Sequence, residues 1–513
     1  MNQDKISFMK KIFFASLIPM LVIALSQAAF CQQQAPGIFE AHTDIGKNVK
    51  PGSAVYIPQM QQYIISGAGA NIWDDHDEFH FAWKKMKGDF ILYARGEFVA
   101  SNIADPHRKT GWMVRTSLAP NAAHVSAVAH GNGLTSLQYR KTNGGNTEEI
   151  KSALANADII QLERRGNTYT MWVARFGEPF VTEKIQAIDL DDEVYVGLFV
   201  SSHNADVFET AVFRDLRITV PHKDDAKANL QMTLGSNLEV LDIASGSREI
   251  IYTVPHSIQA PNWTTDGKSL IYNGSDGLIY KFDLATRKPT LVNTGNVKTN
   301  NNDHVISFDG KLLGLSSNVR EAGGSVIYTV PIEGGEPRQI TPRGPSYLHG
   351  WSPDGKDLVF CGERNGEYDV YKVPVKGGAE VRLTDTKGLD DGPEYTPDGK
   401  YIYFNSVRSG LMQIWRMKPD GSGQEQVTND DYNNWFAHIS PDGKSMVFLS
   451  FLKEEVEPGN HPPYKHVYIR YMPLTGGTPK VVAYLYGGQG SINTPSWSPD
   501  SKRIAFVSNT EAR

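Results

Sequence analysis

The sequence predicts an all-β protein of two domains: an N-terminal β-sandwich of jelly-roll type, then a six-bladed β-propeller closed by strands from both ends of the propeller segment. Three observations carry this. A Ser-Pro-Asp-Gly-Lys-like turn recurs six times after residue 225. The segment before it has strand periodicity but no repeat. Gly 47 and Pro 28 among 513 residues mark a turn-rich chain. The expected boundaries are a signal peptide over 1–30, the sandwich over 36–220, a linker over 221–229 and the propeller over 230–513.

The first element is an export signal. Lys5, Lys10 and Lys11 precede an apolar run over 12–25, and the small residues Ser26, Ala28 and Ala29 follow it. The protein is therefore expected to be periplasmic or secreted. No later stretch has the roughly 20 apolar residues of a spanning helix, so no transmembrane segment is expected in the mature chain. Cys31 offers lipidation as the alternative anchor, but Phe30 stands where a lipobox carries a small residue.

The sandwich is read from short strands such as 79–83, 90–94 and 194–198. Its motif order includes Gly69-Ala70-Asn71-Ile72-Trp73, Gly111-Trp112-Met113-Val114-Arg115 and Phe213-Arg214-Asp215-Leu216-Arg217. That order resembles the concanavalin-like jelly-roll modules of bacterial polysaccharide-degrading enzymes. The resemblance implies a sandwich and contact with a glycan.

The propeller is read from its turns. Their aspartates, at 266, 309, 354, 398, 442 and 500, are spaced 43, 45, 44, 44 and 58 residues apart, near the roughly 40–45 of a four-stranded blade. Proline presets the turn, Asp bonds it locally, and Gly takes the left-handed position. Residues 237–251 read as the third and fourth strands of a blade, and the segment from Trp497 to Val507 as the first and second, so the two complete a sixth blade. Trp263, Trp351 and Trp497 recur beside the turns and are read as inter-blade packing. These repeats, of the WD type in their spacing, resemble the TolB-like propeller family over roughly 226–513. That family includes an envelope Tol–Pal component, oligogalacturonate lyases and the propeller halves of prolyl-oligopeptidase-like enzymes. No Gly-x-Ser-x-Gly elbow is present, which argues against a peptidase.

Lys+Arg 51 against Asp+Glu 57 gives a net charge of −6, without the basic surplus a phosphate backbone needs, so no nucleic-acid partner is expected. Two cysteines allow neither a disulfide framework nor a cysteine-built zinc site, and Cys361 is read as a buried thiol. Function is instead sought where first strands of blades enter the channel. The expected ligand-binding residues are His304, His349, Asp391, Trp435, His438, His461, Tyr464, His466 and Arg408, with Arg364 on a neighbouring rim loop. His304 and His349, each three residues before the Ser of its turn, are expected at similar depth. The longest insertion, 451–466, is expected to fold over the rim as a lid.

Two functions follow. One is a binding platform for a carbohydrate or a cell-envelope protein. The other is a carbohydrate-active enzyme, a polysaccharide lyase or glycoside hydrolase, with His438, Asp391 and Glu394 as catalytic candidates and His304, His349 and His438 as candidate ligands of a divalent metal. The lyase resemblance carries no ligand set over, because Asn433, Asn434 and Phe436 stand before His438 where those enzymes have a closely spaced Gln and His.

Overall fold

The computed structural model describes residues 37–48, 50–99, 105–223 and 233–511. The predicted signal peptide, Cys31 and most of the 221–229 linker lie outside them. Among the described residues the only helical element is a 3-10 turn, Arg320–Ala322. None of their helices is long and apolar enough to cross a membrane.

Two seven-stranded antiparallel sheets make up the N-terminal region. One runs in the order Ala41–Ile45, Phe79–Lys87, Glu193–Ser201, Lys109–Arg115, His124–His130, Thr135–Arg140, Glu148–Lys151. The other runs Val181–Ile185, Thr168–Ala174, Ile159–Arg165, Phe90–Phe98, Asn204–Thr219, Gln62–Gly69, Ser53–Ile57. Alternate residues of each, among them Trp112 and Val114 on one and Leu92 and Ala94 on the other, meet in a single core. Away from that core Asp77 is fully buried and receives Arg140 at 2.8 Å and Arg115 at 3.3 Å.

Five four-stranded antiparallel sheets follow, over 258–291, 300–339, 346–382, 390–426 and 432–487. The sixth is stitched from two places. Gly235–Asp242 pairs with Arg248–Val254 on one side and with Arg503–Thr510 on the other, in a register running from Gly235 opposite Thr510 to Asp242 opposite Arg503. A bridge from Trp497 to Ile504 supplies its innermost contact. Six blades closed by strands from both ends of the segment are what the turn spacing predicts.

The turns show why their residues recur. In each, the Ser or Thr hydroxyl donates to the Asp carboxylate at 2.6–2.7 Å, and the Lys backbone N–H donates to the same oxygen. Glycine holds the left-handed position in five turns, φ 67–71°, and Ser501 adopts it in the sixth at 60°. The tryptophans staple neighbours: Trp351 donates to the Val305 carbonyl and Trp497 to the His438 carbonyl, both at 2.9 Å.

The N-terminal sheets are joined to the last blades by charge and by apolar packing. Glu239, fully buried, takes Arg217 at 2.7 Å and Arg248 at 3.0 Å. Burial alone would raise its pKa, but the two guanidinium groups hold it down at about 2. Beside it Tyr93, Ile159 and Ala174 pack on Tyr468, Val481 and Tyr484.

Candidate functional site

Each first strand enters the channel with a break in its ladder, and the break decides which side chains face inward. Two residues go unpaired at 260–261, 392–393 and 436–437, one at His349, and three at 301–303. Ala260, Gly392 and Phe436 sit at positive φ in these bulges. At 392 only glycine fits, because a Cβ would stand 2.5 Å from the Asn405 amide.

The bulges separate the two histidines that share a sequence register. His349 is itself the bulged residue and turns into the channel. His304 stays in its ladder opposite Leu315, fully buried, with Nε2 3.3 Å from the carbonyl of Ile271 on the preceding blade. The expectation of similar depth is overturned by this difference in bulge position. Burial pushes the His304 pKa down to about 4.

At the entry end lies a cavity of about 420 Å³. Asn302, Asp303, Tyr347, His349, Tyr368, Asp391, Phe436 and Asn493 line it, with His461 and Gln489 at the rim. His349 Nε2 is 3.2 Å from one Asp391 oxygen, and His461 Nε2 is 3.8 Å from the other. Burial opposes both charges. The pair overcomes it: the hydrogen bond to Asp391 raises His349, and His349 with His461 holds Asp391 well below the usual carboxylate range. Asp303 is raised, by burial first and by the nearby Asp391. Phe436 stacks on His349 at 5.8 Å, and His461 stands edge-on to Trp435 at 4.4 Å.

A second imidazole–carboxylate pair lies deeper. His438 Nδ1 meets Glu394 at 2.7 Å, His438 Nε2 meets the Ile492 carbonyl at 2.6 Å, and the other Glu394 oxygen accepts the Ile439 N–H at 2.8 Å. Asn262 has the same register in its own blade and likewise accepts the N–H of Ile306 on the next. Glu394 and Asn262 are thus equivalent blade-to-blade ties. Beyond them, at the turn end, is an apolar depression of about 220 Å³ that includes Trp263, Trp351 and Trp497.

The remaining candidates are placed elsewhere. Trp435 is fully buried behind His461. Tyr464 is buried and its hydroxyl accepts the N–H of Leu234 at 2.9 Å. His466 faces the N-terminal sheets, between Glu163 and Glu455 at 3.1 Å each, and stacks on Trp172. Arg408 is committed to Asp390 at 2.7 Å and Arg364 to Glu380 at 2.9 Å, so neither guanidinium is offered to a ligand. The insertion is pinned as well as draped. Asn433 donates to the Val456 carbonyl at 2.9 Å, and Gly488 lies so close that a Cβ there would be 2.0 Å from the Pro462 oxygen. The insertion's residues Gly459 and His461 form part of the wall of the mouth. Among the described residues no three or more His, Cys, Asp or Glu side chains are grouped to hold a metal. Cys361 lines the mouth from a buried position that pushes its thiol pKa well up.

Of the candidates, His349, Asp391 and His461 are brought together at the mouth. The sequence reading missed Asp303, Tyr347, Tyr368, Phe436 and Gln489. One signal was available: four consecutive amide and carboxylate residues, 300–303, are an unusual content for a channel strand.

The family described as TolB beta propeller domain matches residues 348–458. The uncharacterized protein Atu1656 of Agrobacterium fabrum is 44% identical over 276 residues, 54% of this chain and 92% of its own length. The chain belongs to the TolB-like β-propeller family. A solved structure assigned as TolB from Agrobacterium tumefaciens is 43% identical, with a TM-score of 0.52 over 55% of this chain and all of its own. TolB of Acinetobacter baumannii shares 18% identity, with a TM-score of 0.37 over 55% of this chain and 66% of that one. These family matches concern the propeller half.

Proposed function

We propose that the protein is an exported binding platform whose ligand, a carbohydrate or a cell-envelope protein, enters the propeller at the 420 Å³ mouth. In this reading the N-terminal region is a concanavalin-like jelly-roll module that accompanies the propeller, and residues 221–229 link the two. The observation that carries the proposal is the state of the mouth's polar groups. Asn302 Nδ2 and Asn493 Oδ1 are buried without a partner, next to an aromatic wall, whereas the deeper His438–Glu394 pair is fully used by the protein. The matched relatives support the propeller half of the reading.

A carbohydrate-active enzyme is the second reading. It would place proton transfer on His349 and Asp391, which are within reach of each other in the cavity. One experiment addresses both. The purified protein is screened against oligosaccharide arrays and envelope extracts, beside Asp391→Asn and His461→Ala. Capture by the wild type that both variants lose supports the platform. Sugar fragments released by the wild type and not by Asp391→Asn support the enzyme. Capture that is equal in all three proteins overturns the mouth as the site.

A further inference from the structure

The charges of the mouth are unevenly placed: both of its imidazoles, His349 and His461, stand against one of its two carboxylates, Asp391. Two carboxylates line it, Asp303 and Asp391, and no lysine or arginine does among the described residues. Asp391 is matched by His349 at 3.2 Å. Asp303 has no ion-pair partner in contact among the described residues, and His349 favours its charge only from farther away. Its two oxygens accept hydrogen bonds from neutral amides, Asn493 Nδ2 at 2.6 Å and Asn301 Nδ2 at 2.7 Å. Its own N–H returns to Asn301 Oδ1 at 3.1 Å, which fixes the carboxylate in the three-residue bulge.

The amide orientation follows from this. Because the Asn493 NH2 must face the carboxylate, its Oδ1 points away, and that oxygen is the buried acceptor left without a partner. Asn493 is only 2% exposed. A carboxylate and an amide oxygen therefore stand together, both asking for N–H donors. Above them the wall is apolar and aromatic: Tyr347, Tyr368, Leu389 and Phe436. Tyr347 and Tyr368 stack with centroids 6.5 Å apart.

Resting on the proposed use of the mouth as a binding site, we propose that it takes the cationic head of a lysine or arginine side chain presented by a protein partner. A basic side chain has the matching form: an aliphatic stem for the aromatic wall and a head with several N–H donors for Asp303 and Asn493. An amino sugar carries its ammonium directly on the ring and has no aliphatic stem to lie along the aromatic wall. A uronate would bring a third carboxylate. Beside the mouth a groove of about 380 Å³ under the insertion shares His461 and Gln489 with it, and gives the partner's chain a path to the entrance.

The test is calorimetric titration, to millimolar ligand, of the whole protein with three probes. These are a blocked Gly-Ser-Arg-Ser-Gly peptide, the same peptide with citrulline in place of arginine, and a glucosamine trimer. The arginine peptide is expected to bind at least tenfold more tightly than the citrulline peptide, with an affinity that falls as salt rises. Asp303→Asn is expected to erase that difference. The arginine–citrulline comparison on the wild type needs no variant, so it stands even if Asp303→Asn misfolds. Equal affinity for the two peptides, no binding of the arginine peptide, or an arginine preference that persists in well-folded Asp303→Asn overturns the inference. Binding of the glucosamine trimer alone also overturns it. If a neutral oligosaccharide binds in an Asp391-dependent way while the arginine peptide does not, the mouth survives as a site and the cationic assignment falls.

Discussion

Two imidazole–carboxylate pairs stand in one channel, three residues apart on the carboxylate side, and they do different work. His349–Asp391 faces a cavity, and its neighbours Asn302 and Asn493 keep unfilled atoms. His438–Glu394 is closed on both sides by backbone, at Ile492 and Ile439. Residue type alone does not distinguish them. What separates a binding group from a tie is whether the protein has already used every donor and acceptor, and here a bulge of one or two residues decides that.

The comparison can be broken most forcefully at the tie. Glu394→Ala should cost about 3 kcal/mol of stability, read from urea denaturation, because it strands a buried histidine, while ligand binding per folded molecule stays unchanged. An unchanged midpoint with lost binding would exchange the roles of the two pairs.

The contact at the end of the insertion supplies the next effect. Glu163→Gln should cost about 2 kcal/mol, since it removes the partner of His466 on the N-terminal sheets. Burial alone would lower the His466 pKa, but Glu163 and Glu455 raise it to about 10 from 6.5. Its contribution is therefore complete below pH 6.5 and is lost as pH rises through about 10. Burial alone would raise Glu163, but His466 and Arg165 lower it to about 2 from 4.5, so its share is present above pH 4.5 and is lost toward pH 2. The deficit of the variant should be widest between pH 4.5 and 6.5 and shrink toward pH 10, in thermal melts taken across that range. A pH-independent deficit would remove the ion pair as its cause.

At the mouth, Asp391→Asn should weaken ligand binding about tenfold, roughly 1.4 kcal/mol, measured by titration with whichever probe the wild type binds. Binding unaffected by it would mean that the open pair is structural too. The smallest effect belongs to the turns. Ser501→Gly should stabilise the fold by about 0.5 kcal/mol, because a left-handed φ is relieved at a position where the other five turns have glycine. No gain in the urea midpoint would mean that the hydrogen bond from the Ser501 hydroxyl's neighbour, the Asp442 N–H at 3.0 Å, offsets the strain.

Much of the propeller was legible because its information is local. Six turns with a fixed hydroxyl–carboxylate bond can be counted, and the half-blades at 237–251 and 497–507 fall into place from spacing alone. The site was legible only in part. His349 and His304 read alike until the ladder is seen to bulge at one and not at the other. His466 follows His461 by five residues, yet one reaches the mouth and the other reaches Glu163, a partner about 300 positions away that no local pattern announces. Asp303 carries no signal in local spacing, because its two amide partners come from its own bulge and from Asn493 across the ring.

The stitched sixth blade also bears on how the molecule reaches its native state. Ser508 and Glu239, joined across that sheet, are 269 residues apart in sequence, whereas strands of the other blades pair with near neighbours. The five continuous sheets can form as their residues become available, but Gly235–Asp242 has no inner partner until Arg503–Thr510 arrives. Loop-closure entropy grows only slowly with length, so the delay is one of search and order more than of final stability. Until then the ring has two open strand edges that can pair with another chain. Closure of the ring thus rests on its longest-range strand pairing.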